Sequence, residues 1–364
     1  VWELVGPLTQ TMKEQDIKLA IEQECDAVGI PITSVKHYWY KGEHFSINAL
    51  NPYDRATSFL QSIEKICETY LKGGIRKPKV IKQLDTPVAI KVTLSDMHVG
   101  LEPNPKNGGM FEYSYNRDIF YHNIDYVYSR ILHHYNSNGT FDLLIIDDLG
   151  DGLDGYEGKT TRGGHDLEQN MSSTEAFETF VSAKLSLIER CIDEGVANKF
   201  LIRNVCNDNH AGSFASISNM AIKMILDRVY EESVVDFYIL EKFMSHFTYG
   251  DHAFIITHGK DNKYMFKGLP YQLNDKTVAF INEYIDHFGI DNKFIHLEKG
   301  DLHRIGYDRT KKFDYRNFMS FAPPSAWVQH NFGDGYCGFS IQIIPKYSGE
   351  ISHTDYYFDL TKKK

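Results

Sequence analysis

The feature that most constrains this chain is the apolar run Val88–Leu94, which stops abruptly at Ser95-Asp96-Met97-His98-Val99-Gly100. β-Branched and apolar residues read as a buried strand, and the polar pair falls where that strand runs out into a loop. A ligand would sit there. One carboxylate and one imidazole two residues apart can hold a divalent cation from two sides, because Zn, Mn and Fe accept both donor types.

The pattern recurs downstream. A second buried strand over 141–147 runs into Asp148-Leu-Gly150-Asp151-Gly-Leu-Asp154-Gly155. Gly150 lets backbone approach closely, so Asp151 can project into a crowded site and serve two cations. Asp147, Asp148 and Asp154 suit supporting or solvated roles. After a long helix over Ser173–Glu194, a third strand over 200–205 ends in Cys206-Asn207-Asp208-Asn209-His210. Asn209 offers a neutral oxygen ligand, and His210 can reach a substrate without binding metal. A fourth strand, His252–Thr257, ends at His258-Gly259, and a fifth over 292–297 leads into Glu298-Lys-Gly300-Asp301-Leu-His303-Arg304.

In this order the blocks Asp96-Met-His98, Gly150-Asp151-Gly-Leu-Asp154, Asp208-Asn209-His210-Ala211, His258-Gly259 and Gly300-Asp301-Leu-His303 resemble the signature of the calcineurin-like metallophosphoesterase superfamily, over about 88–305. The resemblance implies an α/β fold, a four-layer αββα sandwich of two mixed sheets, with two divalent metal ions at the strand ends. It implies that Asp96, His98 and His303 hold one cation and that Asn209 and His258 hold the other, with Asp151 bridging. Asp301 stands where the superfamily has a further His. A harder oxygen ligand there tilts the preference toward Mn or Mg over Zn, with Fe also accepted. Asp208 replaces a Gly, and Ala211 an acidic residue. In the implied mechanism a hydroxide between the cations attacks phosphorus in line, while His210 stabilises the charged intermediate or protonates the leaving alkoxide. Asp154 sits where family nucleases often carry His and phosphatases carry Asp followed by Arg; here Gly155 follows.

Beside these blocks, the loop 156–166 is rich in Gly and hydroxyls and carries Lys159, Arg162 and His165. It reads either as a cradle for phosphate oxygens or as a surface loop. Residues 258–268 add Lys260, Lys263 and Lys267 with Tyr264 and Phe266. Further on, alternation over 339–344 predicts an outer strand paired with 351–359.

Residues 1–85 form a helical N-terminal region ahead of the catalytic domain, 86–364. Apolar spacing predicts a helix over 14–27, a second from 31 or 33 to about 41, and a third over 55–71. The first two have the outline of a helix-turn-helix, and equally of a plain helical hairpin. A basic, breaker-rich stretch over 72–79 reads as a linker.

Of 364 residues 42% are hydrophobic and 13% aromatic, which excludes a disordered or fibrous chain. The five cysteines contain no Cys-x-x-Cys pair, which argues against a zinc ribbon. No apolar run reaches the roughly 18 residues of a membrane span, and no signal pattern opens the chain, so a cytoplasmic location is expected, the host's if the chain is phage-encoded. The net charge of −10 does not exclude nucleic acid as a partner, since bound cations reverse the local sign of a carboxylate cluster.

These features together lead to the expectation of a DNA nuclease, similar to those of double-strand-break repair complexes and to phosphoesterases carried by bacteriophages. The alternatives are a phosphatase or phosphodiesterase for a small nucleotide or phosphoprotein, and a non-catalytic DNA-binding protein with a decayed site. The sequence does not decide between a homodimer and a partner ATPase.

Overall fold

Apolar runs alternating with amphipathic helices call for parallel strands covered on both faces. A computed structural model describes 86–104, 110–231, 233–260, 268–333 and 335–360, preceded by 21–23, 25, 35–41, 44–49, 52–72, 74 and 76. The chain divides after Lys65 into two units.

In the first unit the expected second helix is instead a hairpin of β1 (Val35–Lys41) and β2 (His44–Ala49), with Lys41 opposite His44. The helix-turn-helix reading is therefore corrected. Val35, Tyr38, Trp39 and Tyr40 are β-branched or aromatic types that favour a pleated strand. The third predicted helix is present as Pro52–Leu71. The 14–27 helix and the 72–79 linker lie largely outside the described residues. The second unit begins earlier than residue 86: Tyr70 donates to the Ser182 carbonyl at 3.1 Å, and Arg76 pairs with Glu189 at 3.3 Å.

Two mixed sheets build the second unit. One has the order β13-β12-β3-β4-β5-β6 and the other β10-β11-β9-β8-β7. In the first, β3 (Val88–Leu94), β4 (Phe141–Asp148), β5 (Ala197–Val205) and β6 (Val235–Leu240) run parallel, and β12 (Gly338–Pro345) pairs antiparallel with β3. The predicted C-terminal strand pair is found, with β13 (Ser352–Tyr357) on the edge. In the second sheet β8 (His252–Thr257), β9 (Phe294–Lys299) and β11 (Phe313–Asn317) are parallel, flanked by antiparallel β7 (Ser245–Tyr249) and β10 (Gly306–Arg309).

Strand alternation then assigns the layers. Ala89, Leu143, Ile145, Leu201 and Ile344 of the first sheet pack on Tyr249 and Phe254 of the second, forming the middle of the sandwich. The other face of the second sheet, Ala253, Ile255, Ile295 and Leu297, packs on Ile281 and Ile285 of the helix Asp275–Phe288. The helix Ser173–Glu194 packs against β5 and lies between the helices Arg117–Asn138 and Ser213–Val229, covering the first sheet. The expected αββα sandwich of two mixed sheets is thus observed. No helix among the described residues is long and apolar enough to cross a membrane.

Charge also joins the sheets. Lys91 on β3 bonds Glu298 on β9 at 2.5 Å and lies 3.2 Å from Asp147, which Arg203 grips through two bonds of 2.7 and 2.5 Å. All four are buried. Asp148 is likewise held by Lys184 at 2.6 Å. Asp147 and Asp148 are thereby committed to structure rather than to a ligand. Removing one partner of a buried pair leaves an uncompensated charge. Arg203→Ala is therefore expected to cost about 3–5 kcal/mol in urea unfolding, whereas Lys223→Ala, at an exposed pair with Asp227, should leave the midpoint nearly unchanged.

Candidate metal centre

A parallel sheet opens into a crevice at the carboxyl ends of its strands. Here Asp96, His98, Asp151, Asp154, Asn209, His210, His258, Asp301 and His303 form one connected cluster on the loops that follow β3, β4, β5, β8 and β9. The backbone there is strained. Of the six non-glycine residues with positive φ among the described residues, five are Asp96 (53°), His98 (41°), Asp151 (51°), Asp301 (71°) and His303 (53°). Such conformations cost about 1–3 kcal/mol each and persist only where neighbours over-determine them. The neighbours are visible. Asp96 and His98 donate their amides to the carbonyls of Gly150 and Asp151 at 3.0 and 2.9 Å, and on the other side Phe321 and Ala322 donate to those of Ser95 and Asp96 at 2.7 and 3.1 Å. Gly150 is needed for space, since a Cβ there would lie 2.9 Å from the His258 ring.

Asp96, His98 and His303 meet on one side. His98 Nε2 and His303 Nε2 are 3.2 Å apart, and His303 Nε2 lies 3.3 Å from Asp96 Oδ1. The other nitrogen of His98 faces Asp154 Oδ1 at 3.0 Å, which assigns it the proton and turns the Nε2 lone pair into the cluster. Burial alone would raise the Asp96 carboxyl; the His303 imidazole outweighs it and holds the group at about 2.

On the other side His258 Nδ1 faces the Leu149 carbonyl at 3.0 Å, so its Nε2 lone pair points to Asp151 Oδ2 at 3.1 Å and Asn209 Oδ1 at 3.0 Å. Asp301 Oδ1 is 3.9 Å from the same nitrogen. Three oxygens thus face one imidazole nitrogen. A proton or a cation on that nitrogen reconciles the arrangement, and the donor set of carboxylate, amide oxygen and imidazole fits a divalent ion. Burial would lower the His258 pKa, but the Asp151 carboxylate carries it to about 10, so a proton can stand in for a cation. Asp151 joins the two sides: its oxygens fall within one donor group with His98 and His210 and within another with Asp96 and His258.

His210 stands at the mouth with its side chain 21% exposed, and its Nδ1 lies 3.2 Å from the same Asp154 oxygen that faces His98. Burial works against its charge, yet Asp151 and Asp154 raise it to about 9. Asp154 thus positions two imidazoles.

The substrate-loop residues separate. Lys159 is exposed and paired with Asp166 at 3.1 Å, and His165 is exposed. Arg162 is turned inward, donating at 2.6 Å both to the Lys260 carbonyl and to Asn207 Oδ1. The loop is strapped to the site through Thr161 and Arg162, whose amides donate to the His210 and Asn209 carbonyls at 2.8 and 3.2 Å. Lys263, Tyr264, Phe266 and Lys267 lie outside the described residues. Sequence reasoning treated Asp208 only as a departure. Its buried Oδ1 accepts from the Ala211 and Gly212 amides at 2.9 and 2.7 Å, shaping the turn into the helix Ser213–Val229. An Asp able to accept from backbone amides in the turn just ahead of a helix was the available signal.

No protein-family model matches the chain, and no curated protein sequence matches it. Among solved structures it is similar to a novel archaeal phosphodiesterase, at 12% identity and a TM-score of 0.33, over 73% of this chain and 99% of that one. It is also similar to zinc-complexed Vps29 from Entamoeba histolytica, at 10% identity and a TM-score of 0.29, over 74% and 99%. A third is GAP50, the anchor in the inner membrane complex of Plasmodium, at 11% and 0.35, over 76% and 90%.

A histidine whose pKa is raised by folding stabilises the protein fully below its ordinary value near 6.5, and that contribution is lost as pH rises through the folded value. The metal-free protein should therefore lose stability between about pH 6.5 and 10 through His210 and His258. Thermal unfolding across that range should show the loss without Mn and a smaller loss with saturating Mn, because the cation replaces the His258 proton.

Proposed function

We propose that the chain is a dinuclear-metal phosphodiesterase acting on nucleic acid. The observation that carries this reading is a carboxylate, Asp151, shared by two donor groups, one with His98 and His210 and the other with Asp96 and His258; His210, at the mouth, also lies 3.2 Å from Asp154. Two divalent cations in those groups would polarise a phosphoryl oxygen and make water a nucleophile near neutral pH. The chain's own residues supply the rest. Asp96, His98, Asp151 and His303 would hold one cation; Asp151, Asn209, His258 and Asp301 the other. His210, partly exposed beside Asp154, would neutralise phosphoryl oxygens and then hand its proton to the leaving alkoxide. Asp154 keeps that imidazolium oriented.

The substrate class rests on the rim. Arg304, directly after His303, is exposed and lies 5.5 Å from the ring of Tyr271, which is exposed as well. An exposed cation beside an aromatic face suits a backbone with stacked bases. Gly155 in place of Arg favours a diester over a gripped monoester. A small-nucleotide phosphodiesterase is the second reading, favoured by the replacement of the expected helix-turn-helix with the β1–β2 hairpin.

The test is hydrolysis by metal-stripped protein refilled with Mn, on single- and double-stranded DNA and on small phosphomono- and diesters. DNA cleavage is expected, with His210→Ala slower by about 10²–10⁴-fold. Turnover of small esters alone would move the assignment to the second reading, and no turnover of any ester would sink both.

A further inference from the structure

Asp301 is the one member of the donor set flanked by ammonium groups. Lys260 Nζ lies 3.6 Å from Asp301 Oδ1, and Lys299 Nζ lies 4.0 Å from Asp301 Oδ2. Lys299 is fully buried and anchored to the Leu269 carbonyl at 3.1 Å; Gly259 leaves it room, since a Cβ there would lie 2.9 Å from its Nζ. Lys260 is different. Its side chain is 41% exposed and free to leave, while its backbone is pinned by the Arg162 guanidinium.

The oxygen that Lys260 approaches is Oδ1, the one 3.9 Å from His258 Nε2 and so the one turned toward Asp151 and Asn209. The other side is less crowded by positive charge. Lys299 also acts on Asp96 through space, but among the described residues no Lys or Arg lies within ion-pair distance of Asp96, His98 or His303. Apart from the shared Asp151, one cation position offers one carboxylate and two imidazoles. The other offers one carboxylate, one imidazole and an amide, with two ammonium groups on the carboxylate. A cation at the second position meets both a competitor for its ligand and a like charge.

We infer that Lys260 competes with the second cation for Asp301, so that the two positions load unequally and the second fills only as Lys260 is displaced from the carboxylate. The inference rests on the two-cation reading above. Lys260 acts here as a positioning residue: it sets the occupancy of a site that it does not itself complete. Arg162 holds it in place, which gives that residue a role other than gripping substrate.

The experiment is calorimetric titration of metal-stripped protein with Mn, without substrate, on the wild type, Lys260→Gln and Lys260→Arg. The wild type should bind two Mn in two resolved classes. Lys260→Gln should tighten the weaker class by about tenfold, as expected for removing one charge a few Å from a cation, and leave the tighter class unchanged. Lys260→Arg, which keeps the charge, should retain the weak class. Two Mn bound with constants that Lys260→Gln does not alter would overturn the inference and leave the metal centre standing. Equal tightening in Lys260→Arg would also overturn it, by showing that shape rather than charge matters. A wild type that binds no Mn would overturn the two-cation reading itself, and this inference with it.

Discussion

The structure depends on a convergence of acceptors that outnumber the donors reaching them. Oxygens of Asp96, Asp151, Asn209 and Asp301 and the inward nitrogens of His98, His258 and His303 meet in an interior where unpaired charge is expensive. Positive charge must enter. In the protein alone, protons on His258 and His210 supply part of it, which is why both titrate well above an ordinary imidazole. Divalent cations could supply it more fully, and the same geometry that raises those values makes the cluster a candidate ligand set.

Everything around the cluster keeps the acceptors from separating. The loops after β3 and β4 are stitched by backbone bonds, with Val99 and Leu153 forming a bridge beyond the strands proper. The two sheets are tied at the site by the Asp301 amide, which donates to the Asp96 carboxylate at 3.2 Å. Behind it the buried Lys91–Glu298 pair ties them again. Left-handed backbone at five of the ligand positions is tolerated because these contacts leave no alternative.

The part of this that was legible in the sequence is the part that depends on local pattern. The central strands are largely apolar runs, and the polar cluster positions follow within a few residues of their ends, so β3, β4, β5 and β8 and the helix Ser173–Glu194 could be placed within a few residues. The β1–β2 hairpin was misread because Val35 to Lys41 carries polar residues at spacings that a helix also tolerates, and its strand preference lies in aromatic and β-branched side chains. Contacts between distant loops left no local trace. Arg162, read as a phosphate ligand, is engaged by Asn207 and the Lys260 carbonyl, and nothing near it in the chain announces either partner. Lys260 was visible as a basic residue, but its place on Asp301 emerges only when β8 and β9 lie side by side.

Two departures from the superfamily pattern take on a local meaning. Asp208, in place of Gly, organises the turn that presents Asn209 and His210. Asp301, in place of His, brings a carboxylate that two lysines can reach. Neither removes an acceptor from the cluster. The most direct test of the account is anomalous diffraction from crystals soaked in saturating Mn. The account predicts two peaks roughly 3.5–4 Å apart, on either side of the Asp151 carboxylate. The absence of metal from the cluster, or a single ion that Asp151 does not touch, would contradict it.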